Sequence, residues 1–156
     1  LALIDAATGA LVEKHLLPAE WAELSTRHVD LDGEGRIWFA CQYEGHRKDL
    51  PPLVGHFAKG EDLSFIDLPE ETTRRLANYV GAIAVNRSEG LVGITSPKGG
   101  ASVTLDAKSG KVLAETVVPD AAGIAPARGG FAVSSYDGDF LSTRSDVAWD
   151  QHIVRI

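Results

Sequence analysis

Residues 106–119 read Asp-Ala-Lys-Ser-Gly-Lys-Val-Leu-Ala-Glu-Thr-Val-Val-Pro: a tight turn, an apolar-rich strand and a proline that ends it. The same order occurs at 5–18, Asp-Ala-Ala-Thr-Gly-Ala-Leu-Val-Glu-Lys-His-Leu-Leu-Pro, and again after the turn Ala58-Lys-Gly-Glu-Asp62. The closing prolines, Pro18, Pro69 and Pro119, stand 51 and 50 residues apart. A second hairpin recurs between these units: Asp32–Gly35 before Arg36–Tyr43, Arg87–Gly90 before Leu91–Ser96, and Arg128–Gly130 before Phe131–Tyr136. Gly and Asp in such turns tolerate the positive φ that tight hairpins demand.

Four short strands in a repeat of about 50 residues are the pattern of a β-propeller blade. One blade is read as His28–Leu31, Arg36–Tyr43, Leu53–Phe57 and Leu63–Leu68, and the next as Ala82–Val85, Leu91–Ser96, Ser102–Asp106 and Lys111–Val118. Before them stand only the outer two strands of a blade, and after them an incomplete blade running to Ile156. Within Arg36–Tyr43, Ile37, Phe39, Cys41 and Tyr43 share one face while Arg36, Trp38, Ala40 and Gln42 share the other, the alternation of a half-buried strand. Pro18–Leu24 and Pro69–Tyr79 each carry an early Glu and helical spacing, which predicts short helices between blades. The expected fold is therefore all-β, a partial β-propeller of about three four-stranded blades with short inter-blade helices. An irregular β-sandwich is the competing fold.

The whole of 1–156 is read as the C-terminal part of a single propeller domain. The chain lacks methionine and opens in a strand-like Leu-Ala-Leu-Ile, so its natural start is expected upstream. A little over three blades cannot close a ring, and open strand edges invite pairing. The expected partner is the remainder of the propeller or a second copy.

Hydrophobic residues at 44% and charged residues at 24% argue for a globular chain rather than a disordered one. A net charge of −7 excludes a general nucleic-acid or anionic-membrane surface, which needs a basic stripe. No apolar run approaches the ~20 residues of a membrane span. The single cysteine, Cys41, forms no internal disulfide and, from its apolar face, reads as an inert core thiol.

Propeller geometry sets short turns on one face and long connections on the other. The long set comprises Pro18–Arg27, Tyr43–Pro52, Pro69–Tyr79, Ser96–Gly100 and Asp137–Asp146. Functional side chains concentrate on long loops held by a rigid scaffold. That selects Arg27, His28, Tyr43, Glu44, Asn78, Tyr79 and Lys98, with Asp150 and His152 near the same mouth. Each has a structural alternative. His28 could hydrogen-bond a neighbouring blade, Tyr43-Glu44 could anchor a loop, Asn78-Tyr79 could cap a helix, and Trp149–His152 could serve blade packing.

Other motifs lose their chemistry on inspection. Asp30-x-Asp32-x-Glu34-Gly35 copies the first half of a calcium-binding loop, but Cys41 stands where the bidentate acid belongs. Ser96-Pro-Lys-Gly-Gly100 lacks the order of a phosphate-binding P-loop, and Asn86-Arg-Ser88 is a formal glycosylation sequon in a hairpin turn. The five histidines show no zinc-like spacing, and no nucleophile stands beside a base.

At Arg27-His28, Cys41–Gly45, Pro51–Val54, Asn78–Gly81, Thr95–Gly100 and Trp149–His152 the chain resembles a family of uncharacterised bacterial proteins. They are exported propellers, often with a twin-arginine signal, and commonly encoded beside imelysin-type, iron-regulated proteins. The resemblance runs through the whole chain and corresponds to the family's C-terminal half. The family tends to have Arg in place of Lys98 and Asn in place of Gln151. A periplasmic location and an association with iron uptake are what the resemblance implies; it supplies no mechanism and no cofactor.

The first functional reading is thus a non-enzymatic periplasmic binding module, presenting a polar funnel to a small anionic or metal-bearing ligand. The second is a metal-dependent propeller hydrolase or lactonase with its site at the funnel, centred on His28. A purely structural scaffold is the third.

Overall fold

In the computed structural model, residues 1–140 and 143–154 are described. A hairpin of β1 (Ala2–Ile4) and β2 (Leu11–Lys14) forms a two-stranded sheet. Three four-stranded antiparallel sheets follow, each a simple meander. The first holds β3 (Leu24–Leu31), β4 (Ile37–Tyr43), β5 (Val54–Phe57) and β6 (Ser64–Phe65). The second holds β7 (Ala82–Asn86), β8 (Leu91–Ser96), β9 (Ala101–Asp106) and β10 (Val112–Val117). The third holds β11 (Ala121–Ala127), β12 (Gly130–Ser135), β13 (Asp139–Phe140) and β14 (Thr143–Arg144). The first strand of each sheet packs beside the first strand of the next, β3 against β7 and β7 against β11, so these three lie innermost.

The turns do what the repeat demands. Asp5 accepts hydrogen bonds from the Thr8 amide at 2.7 Å and the Thr8 hydroxyl at 2.6 Å, and Asp106 accepts the same pair from Ser109 at the same distances. In both turns the following glycine, Gly9 and Gly110, takes φ +71°. The false calcium loop closes on itself. Asp32 accepts from the Glu34 and Arg36 amides, the Arg36 guanidinium and the Trp38 indole, all within 3.0 Å. Burial pushes its carboxyl up, but these hydrogen bonds together outweigh burial and hold its pKa at about 2.

Four sequence expectations need correction. Trp38, Phe39, Ala40 and Cys41 are all fully buried, so β4 is not half-exposed. A middle strand of a blade is sandwiched between neighbouring blades, and both its faces are interior. The first blade's inner strand starts at Leu24 rather than His28. Its outer strand spans only Ser64–Phe65, not Leu63–Leu68. The expected long loop Asp137–Asp146 contains β13 and β14, although residues 141 and 142 of it, like the final two of the incomplete blade expected to run to Ile156, lie outside the described residues.

The connections contain a 3-10 turn at Ala19–Trp21 and the helix α1 (Glu70–Arg75). The predicted helix over Pro69–Tyr79 stops early because Ala77 and Asn78 both adopt left-handed backbone, φ +50° and +58°. The core runs between the first two complete sheets through Trp38, Phe39, Leu53, Ile94 and Leu105, with Cys41 inside it. Burial pushes the Cys41 thiol up to about 12, which makes it inert. Between the second and third sheets, Gly93, Ala82 and Ala84 leave room for Ile124 and Phe131.

Candidate functional site

The inner strand β3 is not regular where it matters. Thr26 faces Cys41 and Val29 faces Phe39, so Arg27 and His28 together oppose Ala40 alone. Such a bulge re-aims side chains and is common beside functional sites. The inner strand β11 repeats the device: Ala121 faces Ser135 and Ile124 faces Val133, leaving Ala122 and Gly123 opposite Ser134. The Ser134 hydroxyl accepts the Gly123 amide at 3.0 Å. A side chain at position 123 would meet the Asp150 carbonyl and Ile153 at 2.9 Å, so glycine lets segment 149–154 approach the axis.

The three inner strands and this segment enclose an open groove of about 690 Å³, with His28, Asp30, Arg87, Gln151 and His152 among its polar lining. The imidazoles of His28 and His152 lie with ring centres 5.1 Å apart. Burial, and then the neighbouring His152, lower the pKa of His28 below that of a free histidine. Asp150 accepts from the His152 amide at 2.8 Å and stands 3.3 Å from its Nδ1.

A second group adjoins the first. The Gln151 amide donates to the Tyr79 hydroxyl at 2.7 Å, and Lys98 holds its ammonium 5.1 Å from the centre of the Tyr79 ring. Burial, and then the neighbouring Tyr79, raise the pKa of Tyr136. Ala77 and Asn78 supply the sharp turn that aims Tyr79, whose backbone bridges to Gln42 of β4. The loop carrying Lys98 is pinned by Ser96, whose hydroxyl donates to the Leu76 carbonyl and accepts the Gly99 amide.

Of the residues selected from sequence, the fold gathers His28, Tyr79, Lys98, Asp150 and His152 around Gln151. Arg27 sits at the edge, hydrogen-bonded to Gln42 and 3.8 Å from Glu44. Tyr43 and Asn78 serve the loops instead. The Tyr43 hydroxyl donates to Asp49 at 2.9 Å, which raises its pKa, and its ring meets Trp21 edge-on. Asn78 accepts the Tyr43 amide and donates to the His46 carbonyl. Sequence reading passed over Gln151, whose hydrogen-bond partner Tyr79 stands 72 residues away. Among the described residues no three His, Cys, Asp or Glu side chains gather closely enough to hold a metal ion.

Meandering four-stranded sheets arranged around their first strands define a partial β-propeller. The chain belongs to the family described as "Protein of unknown function (DUF1513)", whose model matches residues 1–156. Among solved structures it is similar to a calcium-binding protein, regucalcin, from Agrobacterium tumefaciens, with a TM-score of 0.59 and 16% identity. That match covers 89% of this chain and 48% of regucalcin, so the chain spans about half the length of the propeller it resembles. The likeness concerns the fold alone. No match to a curated protein is found. No helix among the described residues is long and apolar enough to cross a membrane.

Proposed function

We propose that the chain is part of a non-enzymatic binding module of the bacterial periplasm, which holds a small anionic or metal-bearing ligand at the axial mouth. One observation carries the reading: His28 of β3, Tyr79, Lys98 and His152 come from four separate chain segments and meet around Gln151. Convergence of polar and aromatic side chains in an open groove is what small-ligand sites share. Family resemblance supports the export and the association with iron uptake. The exposed Ile4, Leu11 and Val12 of the two-stranded sheet support contact with further propeller strands or a second copy.

A thermal-shift panel of small carboxylates, inorganic phosphate and divalent cations tests the reading, with wild type beside His28→Ala and Glu44→Ala. At least one compound should raise the wild-type midpoint, and His28→Ala should weaken that rise while keeping the ligand-free midpoint. A panel without any shift would remove the site and favour a structural scaffold.

A further inference from the structure

The hydrogen-bond polarity of Gln151 decides which chemistry the mouth accepts. A side-chain amide has two donors at nitrogen and an acceptor at oxygen, and its partners fix which way it faces. Here the nitrogen is committed to the Tyr79 oxygen at 2.7 Å. The Tyr79 phenol oxygen is therefore an acceptor toward Gln151, and its own hydrogen is left to donate elsewhere. Lys98 adds three more donors above the Tyr79 ring, and among the described residues no carboxylate lies within 4 Å of its ammonium. Asp150, the nearby acid, is engaged with His152. The surface so formed offers donors without matching acceptors.

We propose that this mouth recognises an oxyanion, a carboxylate or phosphate group, through the hydroxyl of Tyr79 and the ammonium of Lys98, with Gln151 fixing the direction of that hydroxyl. The inference rests on the ligand-site reading above and narrows its ligand class. An acceptor-only group satisfies every donor, whereas a neutral amide brings its own N–H groups against them and leaves them unpaired.

Calorimetric titration of the full chain with malonate, inorganic phosphate and malonamide tests it. Malonate or phosphate should bind, and whichever is tighter identifies the head group; malonamide should be at least about tenfold weaker. Gln151→Glu would accept the Tyr79 phenol hydrogen, turn that donor inward and add a negative charge, so anion affinity should fall by more than about tenfold, while Gln151→Asn keeps an amide as the control. Lys98→Gln removes the exposed ammonium with little risk to folding, and should weaken the anion several-fold if Gln151→Glu proves unstable. Malonamide binding as tightly as malonate, or a folded Gln151→Glu variant with unchanged affinity, overturns the inference and leaves the site. Absence of binding by all three probes overturns the site itself, and this inference with it.

Discussion

Gln151 and Tyr79, 72 residues apart in the chain, are joined by a 2.7 Å hydrogen bond from the side-chain amide to the phenol oxygen. The bond ties the segment after the third complete sheet to the connection between the first two. Gly81 permits it, because a side chain there would stand 3.1 Å from the Gln151 nitrogen and 2.9 Å from Pro97. The geometry of this mouth depends on blade packing, since neither partner belongs to a strand of the described sheets.

Asp32→Asn should destabilise the first blade. The native carboxyl, held at about 2 against an ordinary 3.8, contributes about 2 kcal/mol at neutral pH. A lowered folded-state pKa stabilises above the unfolded value, and that stability is lost as pH falls from about 4 to about 2. Denaturant unfolding across this window should show a slope that Asp32→Asn flattens. Identical pH profiles for both proteins would refute the assignment.

Ala77→Gly should stabilise by about 1 kcal/mol, because only glycine adopts φ +50° without strain. The gain is offset in part by unfolded-chain entropy, and a higher denaturant midpoint would register the balance. A lower midpoint would show that Ala77 packing outweighs its backbone cost.

Much of this was legible in sequence. The turns at Asp5–Gly9 and Asp106–Gly110, spaced by whole blades, state the architecture, since each Asp and its Thr or Ser partner form the turn locally. The bulges at Arg27-His28 and Ala122-Gly123 were not legible, because register depends on the partner strand. The burial of both faces of β4 was hidden for a similar reason: alternation of residue types says nothing about a neighbouring blade. Gln151 stood in a quoted motif without a role, because its partner Tyr79 lies 72 residues away and only blade assembly brings the two together.

Gly99→Ala should cost about 1–3 kcal/mol, since the added methyl would overlap the Arg75 carbonyl oxygen. The loop would shift and carry Lys98 off the Tyr79 ring. Unfolding midpoints and the Tyr79 ring resonances should both move. A variant as stable as wild type, with unmoved resonances, would mean the loop has slack that the packing denies.

His28 should titrate below the usual 6.5, since burial and then the adjacent His152 both disfavour its charged form. His152→Asn should bring its midpoint back upward, as read by NMR of the labelled imidazole. No change on that substitution would separate the two rings electrostatically despite their 5.1 Å spacing.

The central claim is that the axial mouth holds a small ligand, and a chemical-shift map of the labelled protein titrated with malonate or inorganic phosphate tests it most directly. Shifts should concentrate at His28, Tyr79, Lys98 and Gln151, and leave the short turns at Asp5–Gly9, Asp32–Gly35 and Asp106–Gly110 still. A map whose shifts fall on those short turns, or on no contiguous surface, would contradict the account.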